Sequence, residues 1–310
     1  MKRLRLAIKS RAWSVPAEQA PSATARPPLT SRVRSVRGSF IGGGVQCAQR
    51  DLKLNFMAAR HNTDWTDVAD WYDQLVGESG SEFHRHVVVP GVLRLVGESK
   101  KIIDIACGQG VLCRALRERG AEVTGVDMAQ PLIQAARERG PGDIHYHVGD
   151  ARDLSFLPGG QFDAATCVLA IQNMQPIQPV FESAARLLAP LGKLIIVMMH
   201  PCFRGPKETA WGWDEKGKVQ YRRVDRYLLP RKSPIVTHPG KSADQYTWSF
   251  HKPIEAYVKS LRNAGLLIDA IEEWPSHKTS TSGPRAAAEN TARKEIPMFM
   301  AMRGVKIPGS

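Results

Sequence analysis

Three carboxylates stand at intervals along the middle of this chain, each near the end of a short apolar run. Ile102-Ile103-Asp104-Ile105 leads into Ala106-Cys107-Gly108-Gln109-Gly110, Val123-Thr124-Gly125-Val126 ends in Asp127, and His145-Tyr146-His147-Val148-Gly149 ends in Asp150. Two glycines one residue apart let the backbone turn sharply and let a ligand approach it closely. A carboxylate accepts hydrogen bonds from an amine or from a pair of hydroxyls, and such bonds to a charged group contribute about 1.5–3 kcal/mol. Asp104 is placed to accept from a ligand amine. Each aspartate also has a purely structural alternative, because Asp is a favoured helix cap. Among groups able to take a proton, His200, directly after the apolar run 193–199, is the first candidate for a base or for a group that orients a substrate, with His84 and His251 behind it.

Short apolar runs alternating with helical patterns position these residues. Strands are expected at 101–106, 122–126, 144–148 and 162–169, with helices at 110–119 and 130–139 between them. A further helix runs through Val180 to Leu188 and ends at Pro190-Leu191-Gly192, ahead of a central buried strand at 193–199. A helix over 253–264 stops at Asn263-Ala264-Gly265. A sixth strand at 266–274, a polar loop at 276–295 and a closing strand at 296–302 complete the pattern. Before the first strand, residues 65–97 read as two helices, the first capped by Asp64 or Thr66 with Trp71, Leu75 and Val76 as its stripe, the second opened by Ser81 and split by Pro90. This is α/β patterning: a doubly wound, mainly parallel sheet of seven strands whose ligands bind at the carboxyl ends of the strands, where Asp104, Asp127 and Asp150 collect. Residues 201–251 are too long for an ordinary connection, and they interleave Trp211, Trp213, Tyr221, Tyr227, Tyr246, Trp248 and Phe250 with basic residues; they are expected to form a lid or cap.

The chain has 310 residues and a net charge of +13. Residues 1–56 carry 11 Lys or Arg against 2 Asp or Glu, whereas the remainder carries 32 against 28. The basic excess thus sits mostly in a leader rich in Arg, Ser, Ala, Pro and Gly, which is expected to be disordered, as a transit peptide or as sequence upstream of a true start at Met57. The nearly balanced charge over 57–310 argues against a nucleic-acid partner. No run of apolar residues is long enough for a membrane span. Five cysteines at irregular spacing fit a reducing, cytoplasmic compartment, with an organelle as the alternative if the leader is a transit peptide, and Cys107 and Cys113 lack the spacing of a metal site.

Taken together, Asp104-Ile105-Ala106-Cys107-Gly108-Gln109-Gly110, Asp127 and Asp150 resemble the class I S-adenosylmethionine-dependent methyltransferases, whose first motif reads Asp-x-Gly-x-Gly-x-Gly; Ala106 stands in place of the first glycine. The competing dinucleotide fingerprint Gly-x-Gly-x-x-Gly/Ala fits Gly108 and Gly110 but meets Cys113 at its third position. The resemblance spans residues 65–303. It implies the Rossmann-like methyltransferase fold with an inserted cap, an enzyme that uses S-adenosylmethionine, and a cofactor site built from Asp104, Ala106, Cys107, Gly108, Gly110, Asp127, Met128, Asp150, Ala151 and Leu169, with no metal. In that reading Asp127 holds the ribose diol, Met128 lies on the adenine, Asp150 and the Ala151 N–H meet the adenine edge, and Leu169 walls the methyl group. Tyr72 reaches the methionine end and, with His200, is expected to serve catalysis. A small-molecule acceptor is expected. An RNA or protein methyltransferase and a non-catalytic S-adenosylmethionine-binding protein are the alternatives.

Overall fold

The computed structural model describes residues 65–238 and 242–308, so the basic leader, Met57 and Asp64 lie outside the described residues. In chain order, α1 (Ala69–Val76) and α2 (Val89–Val96) precede β1 (Lys101–Ile105), α3 (Val111–Glu118), β2 (Glu122–Asp127), α4 (Gln130–Arg139) and β3 (His145–Val148). Then come β4 (Phe162–Val168), α5 (Gln178–Leu187) and β5 (Leu188–Met199). Two hairpins follow, β6 (Thr209–Asp214) with β7 (Val219–Val224), and β8 (Arg231–His238) with β9 (Ser242–His251). The chain closes with α6 (Ile254–Asn263), β10 (Leu266–Trp274), α7 (Ala286–Glu295) and β11 (Phe299–Lys306).

The central strands are apolar on both sides, and alternation sends their residues to opposite cores. Ile102, Ala164, Ile195 and Val197 join one cluster; Ile103, Ile105, Ala165, Ile196 and Met198 join the other. A sheet of this kind needs helices on both faces. α2, α3 and α4 supply Val92, Leu116 and Ile133 to the first, and α5 and α6 supply Phe181 and Tyr257 to the second. The seven strands run in the order β10-β11-β5-β4-β1-β2-β3, and β11 lies antiparallel to both of its neighbours. The order reverses at β1, whose neighbours are β2 and β4, so a crevice opens there at the carboxyl ends.

Three elements depart from expectation. β5 begins at Leu188, straight out of α5, and absorbs Pro190-Leu191-Gly192 as an irregularity opposite Phe162–Ala164; the pairing partner moves from Leu188 to Lys193 across it. Residues 286–295 form α7 rather than loop. Pro90 does not split its helix: it sits in the first turn of α2, preceded by the π-helical turn His84–Val88, in which the Val89 N–H donates to the His84 carbonyl five residues back. Proline has no N–H and crowds the carbonyl four residues before it, and the wider turn relieves both problems.

Candidate functional site

A cavity of about 270 Å³ opens at the strand tips. Its floor is the turn after β1. Ala106, Gly108 and Gly110 all adopt left-handed backbone, at φ of +59°, +54° and +81°. Gly110 is required: a Cβ there would sit 2.4 Å from the Tyr146 hydroxyl. Ala106 carries its Cβ into a conformation that costs about 1–2 kcal/mol for an L-residue.

Asp127 closes the turn from the side. Its Oδ2 accepts the Gly108 N–H at 2.8 Å and its Oδ1 accepts the Ala129 N–H at 2.9 Å. A carboxylate has further lone pairs, so the group can still face the cavity it lines. Met128 and Leu132 add an apolar wall beside it. After β3, Asp150 and Arg152 form a fork-to-fork pair, with Nη2 to Oδ2 at 2.6 Å and Nε to Oδ1 at 3.0 Å, and both line the cavity with Ala151. At the tip of β4, Leu169 also holds left-handed backbone, φ +55°, a strained conformation for a bulky residue facing a cavity.

α1 roofs the site. Asp73 pairs with Arg139 of α4, Nη2 to Oδ2 at 2.6 Å, and the Gln109 amide donates to the Gly77 carbonyl at 2.6 Å. Tyr72 is thereby laid over Gly108: a Cβ on that glycine would come within 3.2 Å of the Tyr72 ring. Burial first, then the Asp127 carboxylate, holds the Tyr72 hydroxyl well above its ordinary pKa, so it stays a neutral donor.

Tyr72, Ala106, Gly108, Asp127, Met128, Asp150, Ala151 and Leu169 are therefore brought together as expected, whereas Asp104, Cys107, Gly110 and His200 do not line the cavity. Asp104 is 2% exposed and turned into the sheet. Its Oδ1 accepts from the Thr166 hydroxyl at 2.6 Å and its Oδ2 from the Cys113 thiol at 3.5 Å, so it ties β1 to β4 and α3 rather than meeting a ligand amine. His200 is likewise 2% exposed. Its Nδ1 accepts the N–H groups of Cys202 and Phe203 at 3.2 and 3.4 Å, which leaves Nε2–H to donate to Glu273 Oε1 at 2.7 Å. A ring used in this way has no lone pair left for a substrate proton, so the expected catalytic role of His200 is not what this geometry provides.

Ser81, His84, Asn173 and Met174 also line the cavity; His84 stood among the candidate bases and Ser81 as the opener of a helix, whereas no motif marks Asn173 or Met174. The signal for the first two was available: Ser81 opens a helix, and His84, three residues on, is the residue an opening serine bonds back to. The insertion behaves differently from a lid. β9 packs against Thr66–Val68 and Ile171–Asn173, and the buried Lys252 donates to the Met174 carbonyl at 3.2 Å, yet among the described residues none of 201–251 lines the cavity.

Comparison with known proteins gives the family and the fold. The family described as a methyltransferase domain matches residues 103–196. A ubiquinone biosynthesis O-methyltransferase of Xanthomonas axonopodis pv. citri is 30% identical over 182 residues, covering 57% of this chain and 67% of the relative. A demethylmenaquinone methyltransferase of Thermus thermophilus is 35% identical over 150 residues, covering 47% and 63%. The chain thus spans about two thirds of the relatives it matches. Among solved structures, an S-adenosylmethionine-dependent methyltransferase from Mesorhizobium loti superposes with a TM-score of 0.56 at 27% identity, over 74% of this chain and 100% of that one.

Proposed function

The chain belongs to the class I S-adenosylmethionine-dependent methyltransferases, and from that premise we propose that it methylates a small-molecule acceptor held in the strand-tip cavity. When bound, S-adenosylmethionine supplies a methyl group already activated on a sulfonium. The residues fit it. Asp127 presents its carboxylate to the ribose diol, Met128 and Leu132 flank the adenine, and the Asp150–Arg152 pair with the Ala151 N–H meets its edge. Gly108 lets the Tyr72 ring lie directly on the turn, where a Cβ would press against it, so the Tyr72 hydroxyl borders the methionine end. Leu169 bounds the methyl group. Alignment of donor and acceptor is then the main task, and orientation alone supplies about 7–11 kcal/mol.

The observation that carries the acceptor class is the apolar part of the cavity lining. Beyond the residues assigned to the donor, Trp65, Leu75, Val76 and Met174 line the same cavity beneath α1. A chamber of this size and polarity suits a compact, partly apolar molecule rather than a polymer. The names of the relatives, in ubiquinone biosynthesis and for demethylmenaquinone, support the same class. We read the β8–β9 hairpin as the outer rim of this chamber and residues 57–310 as the methyltransferase domain. Among the described residues no helix is long and apolar enough to cross a membrane. The four described cysteines are free, which supports a cytoplasmic setting.

The test is direct. Calorimetry with S-adenosylmethionine, S-adenosylhomocysteine and NAD should show binding of the first two only. S-adenosylhomocysteine release should then appear with catechols or quinols. Release with total RNA or a protein mixture alone would reject the small-molecule reading, and binding of NAD alone would reject the cofactor.

A further inference from the structure

The cavity carries a hydrogen-bond acceptor that the donor does not need, the His84 ring on the π-helical turn. Its Nδ1 lies 2.8 Å from Ser81 Oγ, and that same oxygen accepts the His84 backbone N–H at 3.4 Å. A hydroxyl oxygen accepts twice. With Ser81 taking Nδ1–H as well as the backbone N–H, the ring is the tautomer whose lone pair stands on Nε2, and a base at this position uses that tautomer. Nε2 has no protein partner and is not sealed from solvent, and the residue lines the cavity. Asn173 lines the same cavity, but its Oδ1 is sealed from it and is not offered to a ligand.

We propose that His84 Nε2 takes the proton from a hydroxyl of the methyl acceptor, with Ser81 fixing the ring. The acceptor is then a phenol or catechol whose ring lies among Trp65, Val76 and Met174. This assignment rests on reading the cavity as the methyl-transfer site. The step balances. The O–H proton passes to Nε2, the freed oxygen pair forms the O–CH3 bond, and the S–CH3 pair returns to sulfur, which becomes a neutral thioether. His84 later gives its proton to water.

The surroundings suit a neutral imidazole. Burial holds His84 below its ordinary pKa, and no neighbouring charge is needed to explain it. The ionisable side chains lining the cavity are Tyr72 from α1, Asp127 after β2 and the Asp150–Arg152 pair after β3. On its own helix stand Glu82, Arg85 and His86. Glu82 pairs with Lys278 at 2.8 Å, Arg85 donates to the Gly80 carbonyl at 2.9 Å, and His86 stacks on His277 with centroids 4.9 Å apart.

The experiment compares wild type, His84→Gln and Ser81→Ala. All three should bind S-adenosylmethionine within about twofold of one another, since none of these side chains meets the donor. The protein loaded with S-adenosylhomocysteine is titrated with 4-nitrocatechol, whose ionised form is coloured. Wild type should bind it ionised at a pH where the free probe is protonated, and His84→Gln should bind it protonated. In turnover, kcat on caffeate should fall by about 100-fold or more in His84→Gln with KM little changed, and by less than about tenfold on the more acidic 4-nitrocatechol. Ser81→Ala should lie between. Equal losses on both catechols, or none, would overturn the proposal. So would a protein that binds S-adenosylmethionine but neither binds nor methylates a catechol. Failure to bind S-adenosylmethionine would instead remove the reading beneath it.

Discussion

The Gly108 N–H donates to Asp127 Oδ2 across 2.8 Å, so the tip of β2 is fastened to the turn that follows β1. One carboxylate thus shapes the floor and faces the ligand. Asp127→Ala should weaken S-adenosylmethionine binding by about ten- to a hundredfold, as expected for loss of hydrogen bonds to a charged group. It should also lower the urea midpoint, because the Gly108 and Ala129 N–H groups lose their acceptor. Unchanged affinity by calorimetry in a folded variant would reject the assignment.

Ala106 predicts a gain. Its φ of +59° suits glycine, the residue the resembling motif carries there. Ala106→Gly should raise stability by about 0.5–1 kcal/mol, the strain relieved less the extra chain entropy of glycine. The urea midpoint should rise at constant m-value.

Asp104 predicts a pH dependence. Burial pushes its carboxyl up to about 7, against the lowering effect of the Thr166 hydroxyl. An unfolded aspartate titrates near about 3.9. Between these values the folded chain keeps a proton that the unfolded chain has lost, so stability falls as pH rises from about 4 to about 7 and stays low above that. Asp104→Asn should flatten that fall in urea titrations across the window.

His200 predicts a separation of stability from activity. Removing its ring strands the Cys202 and Phe203 N–H groups and the Glu273 contact, so His200→Ala should cost about 1–3 kcal/mol of stability. Affinity for S-adenosylmethionine and the kcat of the folded fraction should hold. A hundredfold loss of kcat at unchanged stability would restore it as a base.

The strand tips were legible because a carboxylate at the end of a short apolar run marks a sheet edge whatever the rest of the fold does. The direction of a side chain was not. Asp104 stands one residue short of its run's end, inside β1, whereas Asp127 is the last residue of β2, and the partners that hold Asp104 inward, Thr166 and Cys113, come from β4 and α3. His200 follows a buried strand, and whether its ring enters the cavity depends on Glu273, 73 residues away. α7 was hidden because its sequence has no apolar stripe; Ala292 is its one buried residue. Ser81 and His84 carried a local signal, a serine at a helix start with its partner three residues on, and His84 stood among the candidate bases; that both line the cavity shows only in the fold.

The looser turn at His84–Val88 sets aim against strength within five residues. Were Pro90 replaced by alanine, the restored N–H could reach back four residues and draw the segment into ordinary helix. The chain would gain rigidity there and rotate its imidazole off the chamber. A hardier but duller enzyme is the outcome such a change foretells.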